Sequence, residues 1–83
     1  MNRELIRHSE GYWSIVDDFG KEICRFKIGD RVNVMYTYLY GFMEFTIDLI
    51  SVDAEGNIYL LSDKNDWNSR MPIQFIKSME VIQ

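Results

Sequence analysis

Tyr36, Tyr38, Tyr40 and Phe42 recur at every second position, the spacing that sends alternate side chains of an extended strand to one face. Aromatic residues in such a row suit adhesion. A tyrosine covers a large apolar area at low entropy cost and keeps a hydroxyl for a partner, so tyrosines gather where proteins meet. Trp67 stands in a polar stretch, Asp63 to Arg70, and can join them, while Glu44, Asp48 and Asp66 supply an acidic rim. The partner-binding residues expected from this pattern are Tyr38, Tyr40, Phe42, Trp67, Glu44 and Asp48. A competing reading makes Tyr36 and Tyr38 part of the core, in line with Val32 and Val34, and makes Trp67 a cap on the end of the fold.

Other chemistry has weaker support. Nucleophilic catalysis needs a nucleophile, a base within hydrogen-bond reach and a group to orient that base. His8 is the only histidine and lies in an N-terminal stretch with few apolar residues, so it reads as a solvent-exposed bystander. Cys24 is the only cysteine, so no intrachain disulfide is possible. It reads as a buried apolar thiol, because in a strand the adjacent Arg25 points to the other face and does not activate it. One His and one Cys so far apart do not make a transition-metal site. Asp53, Glu55 and Asn57 alternate as in a calcium loop, but the positions that require Gly and Glu hold Ile58 and Lys64. The pairs Asp17-Asp18 and Glu44/Asp48 read as surface charge, and the five glycines are isolated at turns. The expectation is a chain that is not an enzyme, with no catalytic residues, no metal and no cofactor.

The net charge is −4, unevenly spread. Between Val32 and Asp63 there is no Lys or Arg, while Glu44, Asp48, Asp53, Glu55 and Asp63 all fall there. Nucleic-acid binding rests on cations that neutralise phosphates, so this stretch is a poor platform for it. A sheet with acids and no base could instead meet a basic partner or imitate nucleic acid. No stretch approaches the roughly 20 apolar residues of a membrane span. The polar first ten residues lack the apolar core of a signal peptide. The expected compartment is the cytoplasm, of a bacterium or of a cell infected by a phage.

These residues need elements to place them. Asn2 to Ser9 reads as a helical turn or two, with Asn2 as N-cap. Tyr12–Val16 and Glu22–Phe26 read as an N-terminal β-hairpin closed by Asp17-Asp18-Phe19-Gly20-Lys21. Gly29-Asp30 then breaks the chain. Arg31–Tyr40 alternates as a half-buried strand. Glu44–Val52 is the next strand, bulged near Ile50 where its apolar face switches. Asp53–Asn57 turns the chain into Ile58–Ser62. Pro72–Ile76 fits a short helical or 3₁₀ turn, and Met79–Ile82 closes the fold. The candidate core is Val32, Val34, Phe45, Ile47, Ile58 and Leu60. Eighty-three residues make one domain, with an N-terminal segment and hairpin over 1–25 and a small barrel over 26–83. The fold class is mainly β.

Gly29-Asp30-Arg31-Val32 at the first long strand, the Glu55-Gly56-Asn57 turn, and Pro72 through Ile76 before Met79-Glu80-Val81-Ile82 together resemble the SH3-like small β-barrel group. The resemblance covers roughly residues 26 to 82 and rests on patterns also found in short bacterial and phage proteins. It implies a small antiparallel barrel with a 3₁₀ turn before the last strand. Tyr36 and Tyr38, with Trp67 and Pro72, are similar to the groove aromatics of peptide-binding members, but the paired tryptophans and acidic loop of those members are absent. Fold alone does not assign function. The expected function is a small non-catalytic protein-interaction module, with a protein or a second copy of the chain as partner. The alternatives are a phage-type inhibitor that turns an acidic, nucleic-acid-like face to a host defence nuclease, and a small barrel that binds nucleic acid.

Overall fold

A computed structural model describes residues 2–37, 41–62 and 70–82. They are mainly β, arranged as three antiparallel three-stranded sheets, and no closed barrel is found among them. The first sheet holds β1 (Glu4–Arg7), β2 (Trp13–Val16) and β3 (Glu22–Phe26), in that order. β4 (Arg31–Tyr36) is central in the second sheet, between β5 (Met43–Thr46) and β9 (Ile76–Ile82). β7 (Ile58–Leu61) is central in the third, between β6 (Leu49–Val52) and β8 (Arg70–Pro72).

The expected helical turn over Asn2–Ser9 is a strand. Its two adjacent apolar residues, Leu5 and Ile6, cannot hold a helix on the core. Pairing across a tight turn sets Leu5 against Ile15 and Ile6 against Ser14, so the N-terminal unit is a three-stranded sheet rather than a hairpin alone.

The strand expected over Glu44–Val52 bends earlier than Ile50. It divides at Ile47 and Asp48 into β5, in the second sheet, and β6, in the third. The Gly29-Asp30 turn holds this bend. Gly29 N donates to Ile47 O at 2.6 Å, and Ile47 N donates to Asp30 O at 2.9 Å. The turn is tied on itself as well: Asp30 N donates to Lys27 O, and Lys27 N to the Asp30 carboxylate. The 3₁₀ turn falls at Ile73–Phe75 with Pro72 before it, and β9 begins directly afterwards at Ile76.

One apolar cluster draws on all three sheets. Ile15, Cys24 and Phe26 come from the first, Val32, Val34, Phe45 and Met79 from the second, and Leu60 and Met71 from the third. Of the candidate core, Val32, Val34, Phe45, Ile47 and Leu60 are buried, whereas Ile58 is partly exposed and packs against the cluster.

Candidate functional site

Of the expected partner-binding residues, Tyr38, Tyr40 and Trp67 lie outside the described residues. The other three fall on or beside β5. Among the described residues this strand is bonded to β4 alone and is the edge of its sheet. Phe42 precedes it and is 60% exposed, Met43 is 37% exposed, and alternation buries Phe45 in the core. Phe42 lines a shallow hollow of about 210 Å³ with Asn33, Ser78, Met79 and Glu80.

Glu44 lines a larger groove of about 460 Å³. Tyr36, Met43, Phe45 and Met71 give this groove apolar walls, and Arg31, Arg70, Thr46 and Ser62 add polar groups. Burial pushes the Tyr36 phenol well above its ordinary pKa, as suits a ring that forms part of the wall. Asp48 is exposed in the bend, where its backbone N donates to Leu61 O at 2.8 Å. It does not line the groove that Glu44 lines.

The acidic stretch is less acidic in space than in sequence. Arg31, one residue before it, donates from Nη2 and Nε to Glu44 at 2.8 and 3.1 Å and from Nη1 to Thr46 at 3.0 Å. The Asp53 carboxylate is occupied by its own turn: Oδ1 accepts from Glu55 N and Asn57 N, and Oδ2 from the Asn57 amide and the Tyr59 hydroxyl. Asn57 above all holds the Asp53 carboxyl below its ordinary range. The N-terminal cations are similarly dispersed. Arg7 lies over the Trp13 ring, Arg25 bonds Glu22, and Arg3 Nε donates to Ile76 O.

A polar cluster on the outer face of the first sheet was not foreseen. His8 is half-buried rather than an exposed bystander, and it stacks on Tyr12 with ring centres 4.2 Å apart. Its Nε2 lies 2.8 Å from Ser14 Oγ, and Ser14 Oγ donates to Glu22 Oε2 at 2.7 Å. Arg25 completes the ring, bonding Glu22 Oε1 at 2.9 Å and lying over Tyr12 at 4.8 Å. Since the single Ser14 hydrogen goes to Glu22, the His8 Nε2–H must donate to the Ser14 oxygen. This is the reverse of a nucleophile and its base. Ser14 is also only 1% exposed, so the cluster is a structural network. Only the alternation Tyr12-x-Ser14 hinted at it in the sequence. Its other members meet through strand pairing.

Comparison of the chain with protein-family models, curated proteins and solved structures finds no match.

Proposed function

We propose that this chain is a small non-catalytic protein-interaction module that docks a partner along β5. The observation that carries this reading is the exposure of Phe42 and Met43 at the start of an edge strand that lines the 460 Å³ groove. An edge strand offers backbone donors and acceptors to an added chain, and apolar side chains at its start supply the anchor that such contacts need. The Arg31–Glu44 pair interrupts the acidic face that a nucleic-acid mimic requires, and this favours the interaction module over the inhibitor.

The pairing pattern supports the finer SH3-like reading of residues 26–82. The first long strand, β4, pairs with the last strand and with the first half of a bent strand. The second half of that bent strand pairs with β7, and β7 with β8. A 3₁₀ turn precedes the last strand.

The test is affinity capture with the tagged chain beside a Phe42→Ser variant, with thermal melts of both. A partner that is lost with Phe42→Ser while the melt is unchanged supports the reading. A partner retained at full strength by the variant moves the site away from β5. No partner for either protein, together with no self-association that Phe42→Ser weakens, overturns the reading.

A further inference from the structure

Three hairpin turns in this chain share one design. In His8–Tyr12, Asp17–Lys21 and Asp53–Asn57 the first N–H donates to the fifth carbonyl, at 2.9, 3.0 and 3.0 Å. In each, the fourth residue is a glycine whose N–H returns to the first carbonyl. In the two Asp turns the first carboxylate also accepts from the third and fifth N–H groups. The third position is the apex. It holds Glu10 in one turn, Glu55 in another, and Phe19 in the turn between β2 and β3. Phe19 is 94% exposed. The other two turns show that this backbone does not require an aromatic there. Flexibility does not account for its exposure either, because the Asp17 carboxylate fixes the Phe19 and Lys21 amides and Asp18 Oδ1 accepts from Asn2 N at 2.9 Å. The turn presents an exposed apolar knob on a hydrogen-bonded backbone, between Asp17-Asp18 and Lys21.

The far end of the same hairpin is concave. A hollow of about 360 Å³ lies there, with Tyr12, Phe26, Val81 and Ile82 as its apolar lining and Arg25 and Lys27 at its rim. Asp30 also lines it, with its carboxylate turned to Lys27 N at 2.8 Å. The hollow is large enough for one phenyl ring; Arg25 is already paired with Glu22, so Lys27 is the cation that answers the two aspartates beside Phe19.

We propose that Phe19 of one copy seats in this hollow of a second copy, with Asp17 and Asp18 against Lys27. The contact is heterologous, a knob on one surface entering a hollow on another. It uses a different surface from the β5 face, so neither proposal depends on the other.

Sedimentation velocity over a range of concentrations tests it. The wild-type chain self-associates, and Phe19→Ser, which removes an exposed side chain and leaves the melt unchanged, weakens association on the order of 10-fold or more. Lys27→Glu weakens it as well and makes it less sensitive to salt. The decisive sample mixes the two variants. Phe19→Ser keeps the hollow and Lys27→Glu keeps the knob, so a knob-in-hollow contact retains the pairing of an intact knob with an intact hollow and gives a 1:1 species that neither variant forms alone. A wild-type chain that stays monomeric at every soluble concentration overturns the proposal. So does a Phe19→Ser variant that associates as tightly as wild type, or a mixture that forms no new species. Binding of the wild-type monomer to phosphatidylcholine vesicles, lost with Phe19→Ser, would assign the knob to a bilayer instead and would also overturn it.

Discussion

Ser14 gives up its hydroxyl to two partners inside the first sheet, and its burial makes that arrangement consequential. A hydrogen bond exchanged for water contributes modestly, but a buried group left without its partner costs more. Ser14→Ala is expected to lower the unfolding free energy by about 1–2 kcal/mol, read from urea melts, and a loss below a few tenths would remove Ser14 from the network. The charged member of the cluster adds a pH dependence. Arg25, and then the Ser14 hydroxyl, hold the Glu22 carboxyl below its ordinary range. A depressed carboxyl stabilises the fold above its unfolded value, and that contribution is lost as pH falls through the folded value. Glu22→Gln should therefore flatten the decline of the melting temperature between about pH 5 and about pH 3. An acid limb as steep as wild type would place the titrating group elsewhere. Cys24 behaves differently. Burial, and then the charges of Glu22, Asp30 and Glu80, push its thiol up to about 11. Iodoacetamide at mildly alkaline pH should leave it unmodified until the chain is unfolded, since the thiolate is the reactive form; rapid labelling of the native protein would contradict its place in the core. The buried thiol was legible in the sequence because an isolated cysteine in an apolar alternation has few other places to go. The Ser14 network was not, because which residues stand opposite one another depends on register.

At the scale of elements, the turns were the most legible part of the chain. Asp at the first position and Gly at the fourth encode a hairpin whose backbone needs a left-handed residue, and Gly20 and Gly56 have φ of 78° and 86°. A Cβ at Gly56 meets no neighbour, so the whole cost of Gly56→Ala is conformational. It is expected to destabilise by about 1 kcal/mol, seen as a lower urea midpoint with an unchanged slope. No change would mean that the turn can relax into another type. Strand ends were harder to read. β8 is not legible because Arg70-Met71-Pro72 has no alternation long enough to declare itself; its place comes from Tyr59 and Leu60 pairing with Pro72 and Met71. The bend falls at Ile47-Asp48, whereas hydropathy changes face near Ile50. The backbone bonds from Gly29 and Asp30, which fix it earlier, leave no trace in periodicity. The candidate site shares this limit. Exposure of Phe42 beside an edge strand depends on which strand pairs with β5. The pairing of Glu44 with Arg31 depends on a register that sets Arg31 opposite Thr46.

Across the whole molecule, the first sheet is tied to the rest at both ends. β3 packs on β9, and the side chains of Ile15, Cys24 and Phe26 enter the shared cluster. At the start of the chain, Gln74 in the 3₁₀ turn acts as a substitute strand. Its amide oxygen accepts from Arg3 N at 2.9 Å and its amide nitrogen donates to Arg3 O at 2.9 Å. These bonds join residues 71 positions apart in sequence, so their loss is felt by the first and last parts of the chain together. Because the apolar cluster spans all three sheets, unfolding should be one cooperative transition, and Gln74→Ala should move that transition without splitting it. Two partly buried hydrogen bonds at about 0.5–1.5 kcal/mol each correspond to a melting temperature lowered by roughly 5–15 °C in a chain of this size. Hydrogen exchange in the variant separates the two possible architectures. If β1 and β9 amides lose protection by the same amount, the N-terminal sheet belongs to one folding unit with the two sheets behind it. If β1 amides exchange freely while those of β9 keep wild-type protection, the first sheet is an appendage, and the shared cluster does not make the chain cooperative.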